Sequence, residues 1–323
     1  MTARNVYLTK VLLALTFSLI LTLLLVSTSV ALVNSGSLDQ DDPYRTEEFN
    51  INTPGELQVR TSGGHITVEG SNSNSVRVEM YVRKDGKNLS PSDINLDEWE
   101  IDISKSRNSV KAIAKYKKNN NWSSWNNDRP SVSFVVLAPK EMSTDLRTSG
   151  GHIEAQNLEG TQTIATSGGH LNLKNLTGTI DARTSGGHID LSNLEGDLNV
   201  RTSGGHISAN IIAGTLQAKT SGGHIKLSDV NGSVKASTSG GSITATLNAI
   251  DQFVDLKTSG GNVDITIPKN IGVDLHLKGS FVRGKFNNFS GEMENDEVDG
   301  NLNGGGPKVS ARTSGGTVSL SFN

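Results

Sequence analysis

The sequence predicts an all-β protein: a single-chain parallel β-solenoid of 18-residue coils with two short strands each, capped by non-repetitive β segments. Three observations predict it. The tetrapeptide Thr-Ser-Gly-Gly begins at Thr61, Thr148, Thr166, Thr184, Thr202, Thr220, Thr238, Thr258 and Thr313, and from Thr148 to Thr238 the step is 18 residues every time. Apolar and polar residues alternate between these tetrapeptides, which is the period of a strand. Glycine contributes 35 of 323 residues while aromatics are only 5%, a composition suited to a thin interior. A fixed repeat of this kind marks units that bury their apolar edges only by stacking on neighbours.

Aligned on the Thr, the units show which positions face inward. Five residues on stand Ile153, Leu171, Ile189, Ile207, Ile225 and Ile243, followed two later by Ala155, Leu173, Leu191, Ala209 and Leu227. After a turn marked by Gly160, Gly178, Gly196, Gly214 and Gly232 comes a second alternating run, as in Ile180/Ala182 and Leu198/Val200. Ser-Gly-Gly then reverses the chain, with glycine where φ is positive or where the backbone passes too close for a Cβ. The same parity turns the Thr inward, where its hydroxyl satisfies corner backbone groups.

Two segments break the rhythm and are expected to cover the open ends, because an unpaired terminal coil is an aggregation edge. The expected organisation is a leader at 1–33, a linker at 34–50, a first coil at 51–75, an inserted cap at 76–146, the regular solenoid at 147–264, and terminal coils with a second cap at 265–323. In the leader, Arg4 and Lys10 precede the uncharged run Val11–Val33. That run suits either a secretory signal cleaved after Ala31 or an uncleaved anchor. Both readings export the remainder, with the membrane touched only through the leader if it is uncleaved. A formal charge of −3 argues against nucleic acid as a partner, and the absence of cysteine removes disulfides, Cys–zinc sites and Cys nucleophiles.

The Ser-Gly-Gly-His-Ile units resemble the bacterial putative-adhesin family of β-strand-repeat proteins, a domain-of-unknown-function family. So do the run Val132–Pro139 leading into Asp145-Leu146-Arg147-Thr148 and the closing Gly304-Gly305-Gly306-Pro307. The resemblance covers roughly residues 48–323. It implies a bacterial envelope or surface protein with a parallel β-solenoid and no known catalytic residues.

Three sets of side chains are candidates for chemistry. His152, His170, His188, His206 and His224, with His65 before them, fill one slot directly after Gly-Gly and are expected to form an outward file. Such a file offers a divalent transition metal or a proton-responsive surface; otherwise no cofactor is expected. Arg147, Arg183, Arg201 and Lys219 precede the Thr and form a cationic rail suited to phosphate or uronic-acid groups. Trp122 and Trp125 sit in an Asn-rich loop where they offer flat surfaces to sugar rings. Catalytic residues are not expected: no nucleophile elbow occurs, and the outward acids are scattered over different slots.

The function expected is an exported, non-enzymatic β-solenoid at the cell envelope or surface, binding envelope polysaccharide or surface proteins in adhesion or assembly. The alternatives are a metal- or pH-responsive histidine surface and a polysaccharide-active β-helix enzyme.

Overall fold

The computed structural model describes residues 42–117 and 129–323; the leader at 1–33 lies outside them. All 22 elements among the described residues are strands, joined in one hydrogen-bonded network that is largely parallel.

Five coils carry the regular part, with strands Ile153–Ala165, Leu171–Arg183, Ile189–Arg201, Ile207–Lys219 and Ile225–Ser237. Each is one strand of 13 residues, not two short ones. The expected turn exists as a bend inside the ladder. Asn157 has φ 59° and Gly160 φ 125°, and pairing skips Asn157, passing from Gln156↔Lys174 to Leu158↔Leu176. Every coil bends at the same place, so backbone N–H and C=O groups still meet across the bend and the strand is not interrupted.

Register is parallel and direct. Ile153 pairs with Leu171, Leu171 with Ile189, Ile189 with Ile207 and Ile207 with Ile225. The next strand, Ile243–Lys257, takes up two more residues by register shifts between Leu227 and Val234. A coil such as Leu171, Leu173, Leu176, Ile180 and Ala182 is wholly buried. Fully burying one Leu or Ile stabilises by roughly 1.5–3 kcal/mol, but only with a coil above and below to do the burying.

The first and last repeats join this column although long segments separate them in sequence. Gly55–Thr61 pairs with Met142–Thr148, and Ile66–Ser71 with the start of Ile153–Ala165. At the other end Lys308–Arg312 pairs with Ile243–Lys257, and Thr317–Phe322 with Val263–Ile267. The intervening chain lies outside these coils. Ser109–Tyr116 and Ser131–Pro139 stack in parallel on the first coil, then meet antiparallel strands Trp99–Ser106 and Ser75–Lys84. Arg45–Asn50, within the segment read as a linker, is a further antiparallel strand on Ser75–Lys84. The C-terminal end is closed likewise by Val273–Lys278 and the antiparallel strands Glu297–Leu302 and Phe289–Met293. At the N-terminal end the outermost strands carry charges, among them Arg45, Glu47 and Glu48 on one and Glu100, Asp102 and Lys105 on the other, which blunts edge-to-edge pairing.

Candidate functional site

The corner between coils is built by the repeated tetrapeptide. Thr166 is buried and its hydroxyl donates to the carbonyl of Gly151 one coil back, at 2.9 Å, while accepting from the N–H of Gly169 at 3.3 Å. The same pair of bonds recurs at Thr184, Thr202, Thr220 and Thr238. The two glycines differ. A Cβ on Gly169 would lie 1.9 Å from the carbonyl oxygen of Gly151, whereas one on Gly168 would meet nothing nearer than 3.8 Å. Close approach, not positive φ, is what the second glycine serves.

The corner places the histidines in one file, as its spacing predicts. Rings of His65, His152, His170, His188, His206 and His224 stack with centroids 4.8–5.2 Å apart. Each ring is oriented by a partner that side-chain patterns do not show. The backbone N–H of the corresponding residue in the next coil donates to Nδ1: His152 to His65 at 3.0 Å, His170 to His152 at 2.8 Å, and so on to Ser242 on His224 at 2.9 Å. Nδ1 therefore holds the lone pair and Nε2 the proton. Other acceptors continue the slot at both ends. The hydroxyl of Ser133 takes the N–H of His65, that of Ser242 takes Asn262, and the Asn262 side-chain oxygen takes Thr317.

This geometry bears on both expectations for the file. Binding a metal at Nε2 would require the ring proton to leave, and Nδ1 already faces a backbone N–H that blocks its return there. Protonation would likewise set an Nδ1–H against that backbone donor. Burial lowers the pKa of His170, and the neighbouring His152 and His188 lower it further against a smaller opposing pull from Asp190. His65 is lowered by burial first, then by His152 and Arg83.

The cationic file divides in two. Arg147 lies in register with Arg60, and both guanidinium groups bind the carboxylate of Asp145, the Arg147 contact at 2.6 Å. Burial pushes Asp145 upward, but the hydrogen bonds from Arg60 and Arg147 outweigh it and hold its carboxyl below the usual value. At this end both guanidinium groups are engaged by a carboxylate. Arg183, Arg201 and Lys219 instead occupy three successive rungs in direct register. Arg201 contacts only the Asn199 side-chain oxygen, at 3.2 Å, and no ion pair involves these three cations among the described residues. A shallow hollow of about 190 Å³ lies against Arg201, Lys219 and Lys235, with Asn199, Gln217 and Ser237 as further lining and no carboxylate.

Other polar groups are placed as follows. Trp122 and Trp125 lie outside the described residues; Trp99 is buried in the N-terminal cap. The remaining histidine, His276, lies outside the repeat, so no period in the sequence points to it. Its Nδ1 is 2.6 Å from Asp299, beside a Lys278–Glu297 ion pair also at 2.6 Å. His276, Glu297 and Asp299 are near enough to share an ion, but these two pairs already engage all three. No carboxylate is buried among the described residues.

Three solved structures are similar in part: a putative adhesin from Bacteroides fragilis (12% identity, 86% of this chain and 96% of that one, TM-score 0.36), a putative cell adhesion protein from Clostridium sporogenes (14%, 87% and 100%, TM-score 0.22), and a putative lipid binding protein from Parabacteroides distasonis (16%, 87% and 97%, TM-score 0.36). No curated protein matches the sequence. Residues 196–321 match the family model described as Toastrack DUF4097, and over that stretch the resemblance to a putative-adhesin domain of unknown function holds.

Proposed function

We propose that this protein is exported and works at the cell envelope or surface without catalysis, holding extended polyanions along the outer face of its parallel column. Envelope polysaccharides bearing uronic-acid or phosphate groups have the required chemistry. The observation that carries this reading is the register of Arg183, Arg201 and Lys219 on three successive rungs with no carboxylate partner. Adjacent rungs are about 4.8 Å apart, so a flexible polymer with charges at sugar spacing meets a cation at each step. Arginine adds bidentate recognition of carboxylate and phosphate. The attraction is exposed and screened by salt.

The test uses polygalacturonate and, as a neutral control, dextran. The protein should retain polygalacturonate at low salt and release it as salt rises, and the Arg183→Gln/Arg201→Gln/Lys219→Gln variant should lose most of that retention. Equal retention by the variant would reject the strip as the binding surface.

A second reading rests on the histidine file, whose Nδ1 atoms all accept backbone N–H groups. In it the column responds to acidification by loosening its corners, and the polar surface is tuned by the pH outside the cell. Titrating the ring nitrogens by NMR tests this, since rings that protonate with no change in the neighbouring amides would refute it.

A further inference from the structure

Parallel strands deliver their C-terminal ends to a common rim. At the C-terminal end of the column, Val263–Ile267, Thr317–Phe322 and Phe281–Arg283 lie side by side and parallel. The chain leaving each of them contributes to one open hollow of about 650 Å³. Lys269 comes from the first strand's exit, Arg283 and Lys285 from the third, and Phe322 from the middle strand, with Leu302 and Leu320 as apolar lining. No carboxylate lines this hollow. Lys269, Arg283 and Lys285 form no ion pair among the described residues, in contrast to Lys278, which is paired with Glu297.

The rim is held in shape by its own backbone and amide groups. The N–H of Lys269 donates to the main-chain oxygen of Asn323 at 3.3 Å, and the N–H of Asn303 to the carbonyl of Asn288 at 3.0 Å. Asn288 donates to the Asn303 side-chain oxygen, and Asn303 to the carbonyl of Ile271 at 3.0 Å. The side chains of Asn270 and Asn287 are left without a partner among the described residues. Three unpaired cations, two free amides and an apolar floor thus face one concavity. Its size is in the range of small-molecule sites.

We infer that this rim binds a phosphate carried on a sugar or polyol. Three positive charges match a phosphate better than a single carboxylate, Arg283 supplies forked donors to its oxygens, and the amides of Asn270 and Asn287 meet hydroxyl groups. The apolar floor takes the carbon face of the ligand. The site is separate in sequence and place from the strip on Arg183, Arg201 and Lys219, so either can fail without the other. Phosphate of this kind occurs on soluble or polymeric polyol phosphates and on lipid headgroups.

Calorimetry with sn-glycerol 3-phosphate, and with glycerol as control, tests the inference on the full chain. The unaltered protein should bind glycerol 3-phosphate and not glycerol. The Arg283→Gln/Lys285→Gln variant should bind about tenfold more weakly or worse, while the Arg183→Gln/Arg201→Gln/Lys219→Gln variant should bind as the parent does. All five side chains are outside the core, and an unchanged melting temperature confirms the fold of each variant. Co-sedimentation with phosphatidylglycerol vesicles, lost in the Arg283→Gln/Lys285→Gln variant, would assign the phosphate to a lipid headgroup. Binding of glycerol 3-phosphate without vesicle binding would assign it to a soluble or polymeric source. No heat with glycerol 3-phosphate, or equal heat from parent and Arg283→Gln/Lys285→Gln variant, overturns the inference.

Discussion

The backbone N–H of His188 donates to Nδ1 of His170 at 2.8 Å, and the two rings stack 4.8 Å apart. One bond thus joins adjacent coils and sets the tautomer of the ring that accepts it. It also makes the corner sensitive to acid. The folded-state pKa of His170 lies below the ordinary 6.5, through burial first and its histidine neighbours second. The unfolded chain therefore binds more protons as pH falls through this range, so stability present above about pH 6.5 is lost on acidification. The urea midpoint should fall between about pH 7.5 and about pH 5, the span over which an ordinary histidine titrates. In the His170→Asn/His188→Asn/His206→Asn variant the fall should be shallower, because Asn already serves as acceptor at Asn262. Equal slopes for parent and variant would remove the histidines as the cause.

The two corner glycines give a paired test of close packing. Gly187→Ala puts a Cβ 1.9 Å from the carbonyl oxygen of Gly169, backbone that cannot move without shifting a whole coil. Gly186→Ala meets nothing within 3.7 Å, its nearest neighbours being at 3.8 Å. Thermal denaturation should show Gly187→Ala destabilised by about 1–3 kcal/mol or more and Gly186→Ala within about 0.5 kcal/mol of the parent. Comparable losses at both positions would mean that the corner does not pack as described.

Ile211 occupies the left-handed bend position with φ 57°, where the coils before it carry Asn157, Asn175 and Asn193. A β-branched side chain there is strained, by roughly 1–2 kcal/mol. Asn193 already donates to Asn175 at 2.8 Å and Asn175 to Asn157 at 2.9 Å. Ile211→Asn should relieve the strain and allow this ladder to grow by a rung, raising the melting temperature. A lower melting temperature would show that Ile211, though 49% exposed, contributes more by its contacts than its backbone costs.

Ala165 occupies the rung between Arg147 and Arg183, and on its far side Asp145 engages Arg60 and Arg147. Asp145→Asn would release Arg60 and Arg147 from their shared carboxylate and add two unpaired cations one rung beyond Ala165, on the same face as the strip. Retention on polygalacturonate should then persist to higher salt than for the parent. Retention unchanged or weakened would confine binding to Arg183, Arg201 and Lys219, or remove it from the file altogether.

Much of this architecture is legible in the repeat itself. Like residues spaced by a constant step become vertical neighbours, so the buried Thr file, the Ile and Leu columns and the histidine file follow from alignment. Three features do not follow. The bend at Asn157 stays within the ladder because every coil bends alike, and residue type alone does not separate that from a break between two strands. The partner of each imidazole is a backbone amide, which has no signature in the side-chain pattern. The sharing of Asp145 between Arg147 and Arg60 depends on Arg60 being brought beside it, because the segment between them folds outward as a cap. The phosphate rim is hidden for the same reason: Lys269, Arg283 and Lys285 belong to the irregular end, where no period points to their meeting.

The amide-to-imidazole bond offers the most direct measurement of the whole account. In protein labelled with nitrogen-15, a scalar coupling across the hydrogen bond should connect the backbone nitrogen of His188 to Nδ1 of His170, with the ring proton on Nε2. That result requires successive coils to be stacked in the register described. A ring proton found on Nδ1, with the His188 amide exchanging freely with solvent, would contradict it.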